Sequence, residues 1–207
     1  NITKQFSRDS SFSKLNYEEY ENYIESILLI CKRLLTPDGT LYLCNDWRGS
    51  FVQKKLSEYF YIKNCITWIH EKGRGSKTNY KNTAETIWFC TNSDKYTFNY
   101  EDIKIKKKVI APYKKDGIPK DWVDDGKEKS RQTFLGNLWL DIVTPFWSMN
   151  GGEHGWNTEV GVQKPEKVIE RLILASSNPG DLILDFFLVS GTTSVVAKKN
   201  NSNYIGV

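Results

Sequence analysis

The 207-residue chain carries 29 Lys and Arg against 25 Asp and Glu, a net charge of +4, and 14% aromatic residues. That length supports one domain with a sizeable core, and the mild basic excess permits a polyanionic partner without demanding one. No apolar run approaches the roughly 18 residues of a membrane span and no signal-peptide pattern is present, so the expectation is a cytoplasmic protein with no membrane contact.

In chain order, residues 17–35 place Ile24, Ile27, Leu28, Cys31, Leu34 and Leu35 on one helical face. Pro37-Asp38-Gly39 signals a turn, and Thr40 to Cys44 reads as a buried strand ending at Asn45-Asp46. A second helix is expected over 49–59, then strands over 61–69 and 85–90. Asp46 is either a site residue at a strand end or a cap for the helix that follows. Residues 101–135 hold ten Lys/Arg and seven Asp/Glu with Pro112, Gly117, Pro119 and Gly126 between them, which argues against regular helix. That stretch is a linker, a surface insertion or a recognition loop. Gln163-Lys164-Pro165-Glu166 reads as a helix start running to about Ser177, stopped by Asn178-Pro179-Gly180. A strand over 181–186, a helix from about 192 and a strand over 203–207 complete a layered α/β pattern.

The cysteines (Cys31, Cys44, Cys65 and Cys90) form no C-x-x-C pair. With only His70 and His154 beside them, buried free thiols are favoured over a zinc site. Neither histidine has a spacing that suggests a metal or a triad, so structural roles are expected for both. Lys63, Lys72, Arg74, Lys77 and Lys81 share one segment with a single acid, Glu71. Gly73 and Gly75 loosen it and Tyr80 adds an aromatic ring, which suits phosphate contact and groove insertion. A plain solvated basic loop is the competing reading.

The chemistry concentrates near the C-terminus. Asp181-Leu-Ile-Leu-Asp185-Phe186-Phe187-Leu-Val189-Ser190-Gly191-Thr192-Thr193 is a strand, a turn of mostly small residues and a helix start. An acid at a strand's carboxyl end followed by such a turn is a nucleotide-type binding site in open α/β sheets. An ordinary helix N-cap uses the same residue types.

This stretch closely resembles the cofactor motif of amino-methylating DNA methyltransferases, D-P/F-F-x-G-S-G-T-T, except that Val189 stands where the family has its first glycine. The segment Gln163 to Ile173 resembles the family's T-Q-K-P-x-x-L-x-x-x-L-I element, which precedes the cofactor motif in a circularly permuted group. Trp68 to Asn82 and Pro145 to Met149 also look like segments of restriction-modification members, so the resemblance spans nearly the whole chain. It implies a Rossmann-like, mostly parallel seven-stranded sheet with helices on both faces. It further implies S-adenosylmethionine as cofactor and methylation of the exocyclic amine of a flipped adenine, less favoured cytosine, in duplex DNA. On this reading Lys164, Pro165, Asp185, Phe186, Phe187, Val189, Ser190, Gly191, Thr192 and Thr193 surround the cofactor. Lys72, Arg74, Lys77 and Lys81 contact DNA.

The resemblance also sets out what is missing. The catalytic Asp/Ser-Pro-Pro-Tyr motif of the family occurs nowhere in the sequence and is expected before Asn1. The chain is therefore read as one catalytic domain, 1–207, cut at both ends, with 101–135 as the target-recognition insertion. Partners are duplex DNA, a cognate restriction endonuclease and, in a homodimer, a second copy. Val189 predicts weakened cofactor binding or a shifted turn, because a β-branched residue resists the positive φ that glycine permits. A harmless valine with negative φ is the alternative. Two rivals stand beside the leading reading: a non-catalytic DNA-binding relative, and a methyltransferase acting on RNA or protein.

Overall fold

A computed structural model describes residues 16–70, 77–110, 112–142 and 164–207, with the side chain of Arg48 left out. Helix α1 (Tyr17–Leu34) starts at a reciprocal cap: Asn16 Oδ1 accepts from the Glu19 amide at 2.9 Å, and the Asn16 amide donates to Glu19 at 2.7 Å. Strand β1 (Thr40–Asn45) follows, then a 3₁₀ turn (Trp47–Gly49), α2 (Val52–Tyr59), β2 (Tyr61–Ile69) and β3 (Ala84–Thr91). Because α2 starts at Val52 with Phe51 as its N-cap, Asp46 is not its cap.

β3 lies between β1 and β2 and runs antiparallel to both. β1 and β2 are joined by the α2 crossover and so run parallel to one another, and the described residues between β2 and β3 form no helix. β9 (Leu138–Trp139) adds to the far side of β2 in parallel, giving the order β1-β3-β2-β9. A separate parallel pair, β10 (Leu182–Asp185) and β11 (Asn203–Gly206), is wrapped by α4 (Thr192–Lys199). Outside residues 101–135 the described strands form a mixed four-stranded sheet and a parallel pair, so the α/β layering holds while the described residues do not show a single, mostly parallel sheet of seven.

Side-chain alternation along β3 builds both layers. Trp88 and Cys90 face Ile24, Leu28 and Cys31 of α1 and Val52 and Leu56 of α2. Ile87 and Phe89 face the opposite side, where Val168 and Leu172 of α3 (Glu166–Ser176) pack with Trp68, Trp139 and Ile142. The sheet is thus covered on both faces, as its apolar strands require. Burying Leu28 or Leu56 completely stabilises the fold by about 1.5–3 kcal/mol each. α3 also joins the two sheets, because its Ile173 packs on Val196 and Ala197 of α4. No described helix is long and apolar enough to cross a membrane.

The described residues of 101–135 form short antiparallel strands and no helix. β4 (Ile105–Lys108), β8 (Lys129–Thr133) and β7 (Val123–Asp124) make one small sheet, and β5 (Lys114–Lys115) with β6 (Ile118–Pro119) make a hairpin. The four cysteines are free; Cys31 and Cys90 are buried, Cys44 and Cys65 partly so. Burial pushes the Cys31 thiol up to about 11 and the Cys90 thiol to about 12, which keeps both protonated and unreactive.

Candidate functional site

The carboxyl ends of β1 and β2 and the amino end of β3 meet at one edge, since Asn45 and Thr67 both pair with Thr86. Asp185 ends β10, its neighbour Phe186 packs with the cluster that holds Leu43 of β1, and Lys164, bonded to Glu85 of β3, feels the Asp185 charge. The strand ends and the segment entering α3 therefore converge on one place, the crevice position at which open α/β sheets bind ligands.

Asp185 shapes the turn that follows it. Its Oδ1 accepts from the Phe187 amide at 2.9 Å and its Oδ2 from the Thr193 hydroxyl at 2.6 Å. Ser190 and Thr192 share a hydroxyl–hydroxyl bond of 3.0 Å, and Ser194 Oγ donates to the Gly191 carbonyl. The hydroxyls thus lock the loop to itself. Gly191 caps α4 at φ +83°, and no side chain caps the helix. The first amides of α4 are left to face an acceptor at the helix's positive end. Leu188 reaches back over β11, where a Cβ on Gly206 would fall 2.2 Å from Leu188 Cδ2.

Val189 adopts φ +46° and is 69% exposed. The expected conflict is therefore present, and the alternative of a relaxed valine at negative φ is not what the backbone adopts. The phenylalanine pair divides: Phe186 packs against the α1/α2 core, while Phe187 is half exposed at the turn. Pro165 is fully buried as the N-cap of α3 and contributes by fixing that helix's start.

Lys164 was expected at the site, and its partners were not. Its Nζ donates to Glu85 Oε2 at 2.5 Å and stands 5.7 Å from the centre of the Trp68 ring. The other Glu85 oxygen lies 3.7 Å from His70 Nε2. Burial works against the Lys164 charge, but Cys44, Glu85 and Asp185 outweigh it and hold the ammonium above the ordinary lysine range. Burial pushes the Cys44 thiol up, with Lys164 opposing. Beside Cys44, the buried Asn45 Oδ1 has no hydrogen-bond partner among the described residues. Only the position of Asn45 and Glu85 near strand ends hinted at them in the sequence.

A strand-end carboxylate, a lysine, a half-exposed aromatic ring and open helix amides fit a small zwitterion joined to a planar group. Lys77 and Lys81 are exposed on the segment joining β2 to β3, at this same edge, with Tyr80 fully exposed between them. Lys72, Arg74, Gln163, His154 and residues 145–149 lie outside the described residues.

A family profile described as DNA methylase matches residues 2–207. The type II methyltransferase M1.MboII of Moraxella bovis is 31% identical, over 95% of this chain and 79% of its own length. M.HpaI of Haemophilus parainfluenzae is 30% identical over 93% of this chain but only 56% of its own length. The DNA adenine methyltransferase YhdJ of Escherichia coli is 29% identical over 100% of this chain and 68% of its own. Among solved structures, the M1.HpyAVI–SAM complex matches with TM-score 0.61 at 19% identity, over 90% of this chain and 76% of that one. The cytosine-N4-specific PvuII DNA methyltransferase matches with TM-score 0.66 at 16% identity, over 97% and 70%. At those identities the likeness is one of fold.

Proposed function

The chain belongs to the DNA methylase family, and on that premise we propose that it transfers a methyl group from S-adenosylmethionine to the exocyclic amine of an adenine turned out of duplex DNA. The observation that carries this reading is the Asp185-pinned turn opening onto the first amides of α4, with Lys164 at the same strand edge. When bound, S-adenosylmethionine supplies a sulfonium methyl that an amine nitrogen can attack in line.

The protein's own residues align and exclude more than they move protons. Asp185 fixes the backbone of the turn, Phe187 would offer an apolar ring, and the first α4 amides would donate to the carboxylate of S-adenosylmethionine. An amine inside a duplex is paired and stacked, so the target base has to leave the helix. Lys77 and Lys81, with Lys72 and Arg74 in the same segment, hold the phosphates, and residues 101–135 read the target sequence. Adenine is favoured over cytosine by the relative described as an adenine methyltransferase. The two type II relatives support a restriction-modification setting, with a cognate endonuclease and a homodimer as part of the same proposal.

Incubating the intact protein with labelled S-adenosylmethionine and duplex DNA tests this, with the modified nucleoside identified by mass spectrometry. N6-methyladenine is expected. N4-methylcytosine would move the target to cytosine, and methylation confined to RNA or protein would overturn the reading. The strained Val189 favours one second reading, a DNA-binding relative with an impaired cofactor site; calorimetry that detects no S-adenosylmethionine binding would select it.

A further inference from the structure

Glu85 lies at the amino end of β3, 79 positions before Lys164 and 100 before Asp185, and no motif of the sequence singled it out. Its Oε2 accepts from Lys164 Nζ at 2.5 Å, and its Oε1 lies 3.7 Å from His70 Nε2. Lys164 is confined on another side by the Trp68 ring, itself fully buried and tied by its Nε1 to the Ile142 carbonyl at 3.1 Å. The ammonium is thus within electrostatic reach of two carboxylates but bonded to one of them. The other, Asp185, already accepts from Phe187 and Thr193 and sets the turn.

A half-buried ammonium that loses its partner moves to the nearest remaining anion, because an unpaired charge there is costly. For Lys164, Asp185 is the other carboxylate that acts on its charge, and pairing with it would compete with the bonds to Phe187 and Thr193. We propose that Glu85 is a positioning residue of the methyl-donor site: it anchors Lys164 to β3 and so leaves the Asp185 carboxylate to shape the 186–193 turn. Glu85 acts on the donor through Lys164 and Asp185, and it couples the two segments that flank the donor. The inference rests on the reading of residues 185–193 as that site.

The test uses the intact protein with Glu85→Gln, Lys164→Met and both together. Loss of a charge-assisted bond predicts that Glu85→Gln weakens S-adenosylmethionine and S-adenosylhomocysteine binding about tenfold. The expected split is a raised KM for the donor with kcat at saturating donor within about twofold, since the reacting atoms are untouched. Glu85→Asp, which keeps the charge, should recover part of the affinity. In the double variant no stray ammonium remains, so its affinity should equal that of Lys164→Met alone. Unchanged affinity in Glu85→Gln, strictly additive single effects, or a fall in kcat without a change in KM would overturn the proposal.

A ligand-free readout separates this inference from the functional reading. Amine acylation followed by mass spectrometry should label Lys164 several-fold faster in Glu85→Gln than in the unsubstituted protein, because one of its two acids is gone. Equal labelling overturns the anchoring. If the unsubstituted protein binds neither donor nor product while labelling responds, the methyl-donor reading fails and Glu85 anchors Lys164 for some other end.

Discussion

Val189 shows how one residue can be at odds with its own turn. At φ +46° a β-branched side chain crowds the backbone, at a cost of roughly 1–2 kcal/mol. The residue is 69% exposed, so packing returns little of that cost. Glycine relieves the crowding but adds about 0.5–1 kcal/mol of chain entropy to folding. The strain term is the larger, so Val189→Gly should stabilise the protein by on the order of 0.5–1 kcal/mol and tighten S-adenosylmethionine binding. Urea unfolding and calorimetry measure the two effects, and Val189→Ala, which keeps a Cβ at positive φ, should give neither gain. A destabilised glycine variant would mean that the turn holds valine without strain. The neighbouring turn residue, Gly191 at φ +83°, already has the relaxed solution.

At the scale of elements, α3 is the piece that other parts lean on, and its anchor is ionic. Arg171 is only 7% exposed, lies 5.3 Å from the Trp139 ring centre and grips Asp141 with both guanidinium branches. These bonds hold the Asp141 carboxyl below the ordinary carboxylate range. A lowered folded-state value means the contribution is complete above the unfolded value and fades as pH falls through the folded one. Asp141 is open to solvent on one side, which tempers the gain. Asp141→Asn should therefore cost on the order of 1 kcal/mol at pH 7, with the gap to the unsubstituted protein closing in acid; thermal melts across pH 2–7 would record it. A gap independent of pH would assign the loss to packing. This pair also marks what a sequence makes legible. The helices and β1 to β3 stand out because their apolar periodicity is local, and the turn at Asp185 because its residues are contiguous. Glu85 with Lys164, Asp141 with Arg171 and the orphaned Asn45 oxygen depend on partners that only folding brings together. The antiparallel placement of β3 was hidden for the same reason, since strand pairing is non-local.

At the scale of the whole molecule, the segment between β3 and β9 is an appendage on the α/β layers. β4, β7 and β8 hydrogen-bond with one another, β5 pairs with β6, and none of them joins the main sheet. Its buried Trp122 is held within the appendage, donating to the Tyr113 carbonyl at 2.7 Å beneath Lys129. The outer part, residues 110–128, holds Lys114, Lys115, Lys120 and Lys127 against Asp116, Asp121, Asp124, Asp125 and Glu128. That balance, four cations to five anions, supplies no net attraction for phosphates, so any service to DNA binding lies in reading sequence and not in raw affinity. The geometry allows a clean excision, because the Val109 amide donates to the Lys129 carbonyl at 2.7 Å and the two ends are neighbours. Replacing residues 110–128 with Asn-Gly closes β4 onto β8 as a two-residue hairpin. The layers and the donor site should be unaffected, with the melting temperature within a few degrees and unaltered S-adenosylmethionine affinity. Discrimination between target and non-target duplexes should fall at least about tenfold, the worth of one lost base contact, while the salt slope of binding stays unchanged. Competition binding at two salt concentrations measures both quantities. Retained discrimination would remove target reading from this segment, and a flattened salt slope would show that its lysines bind phosphate after all.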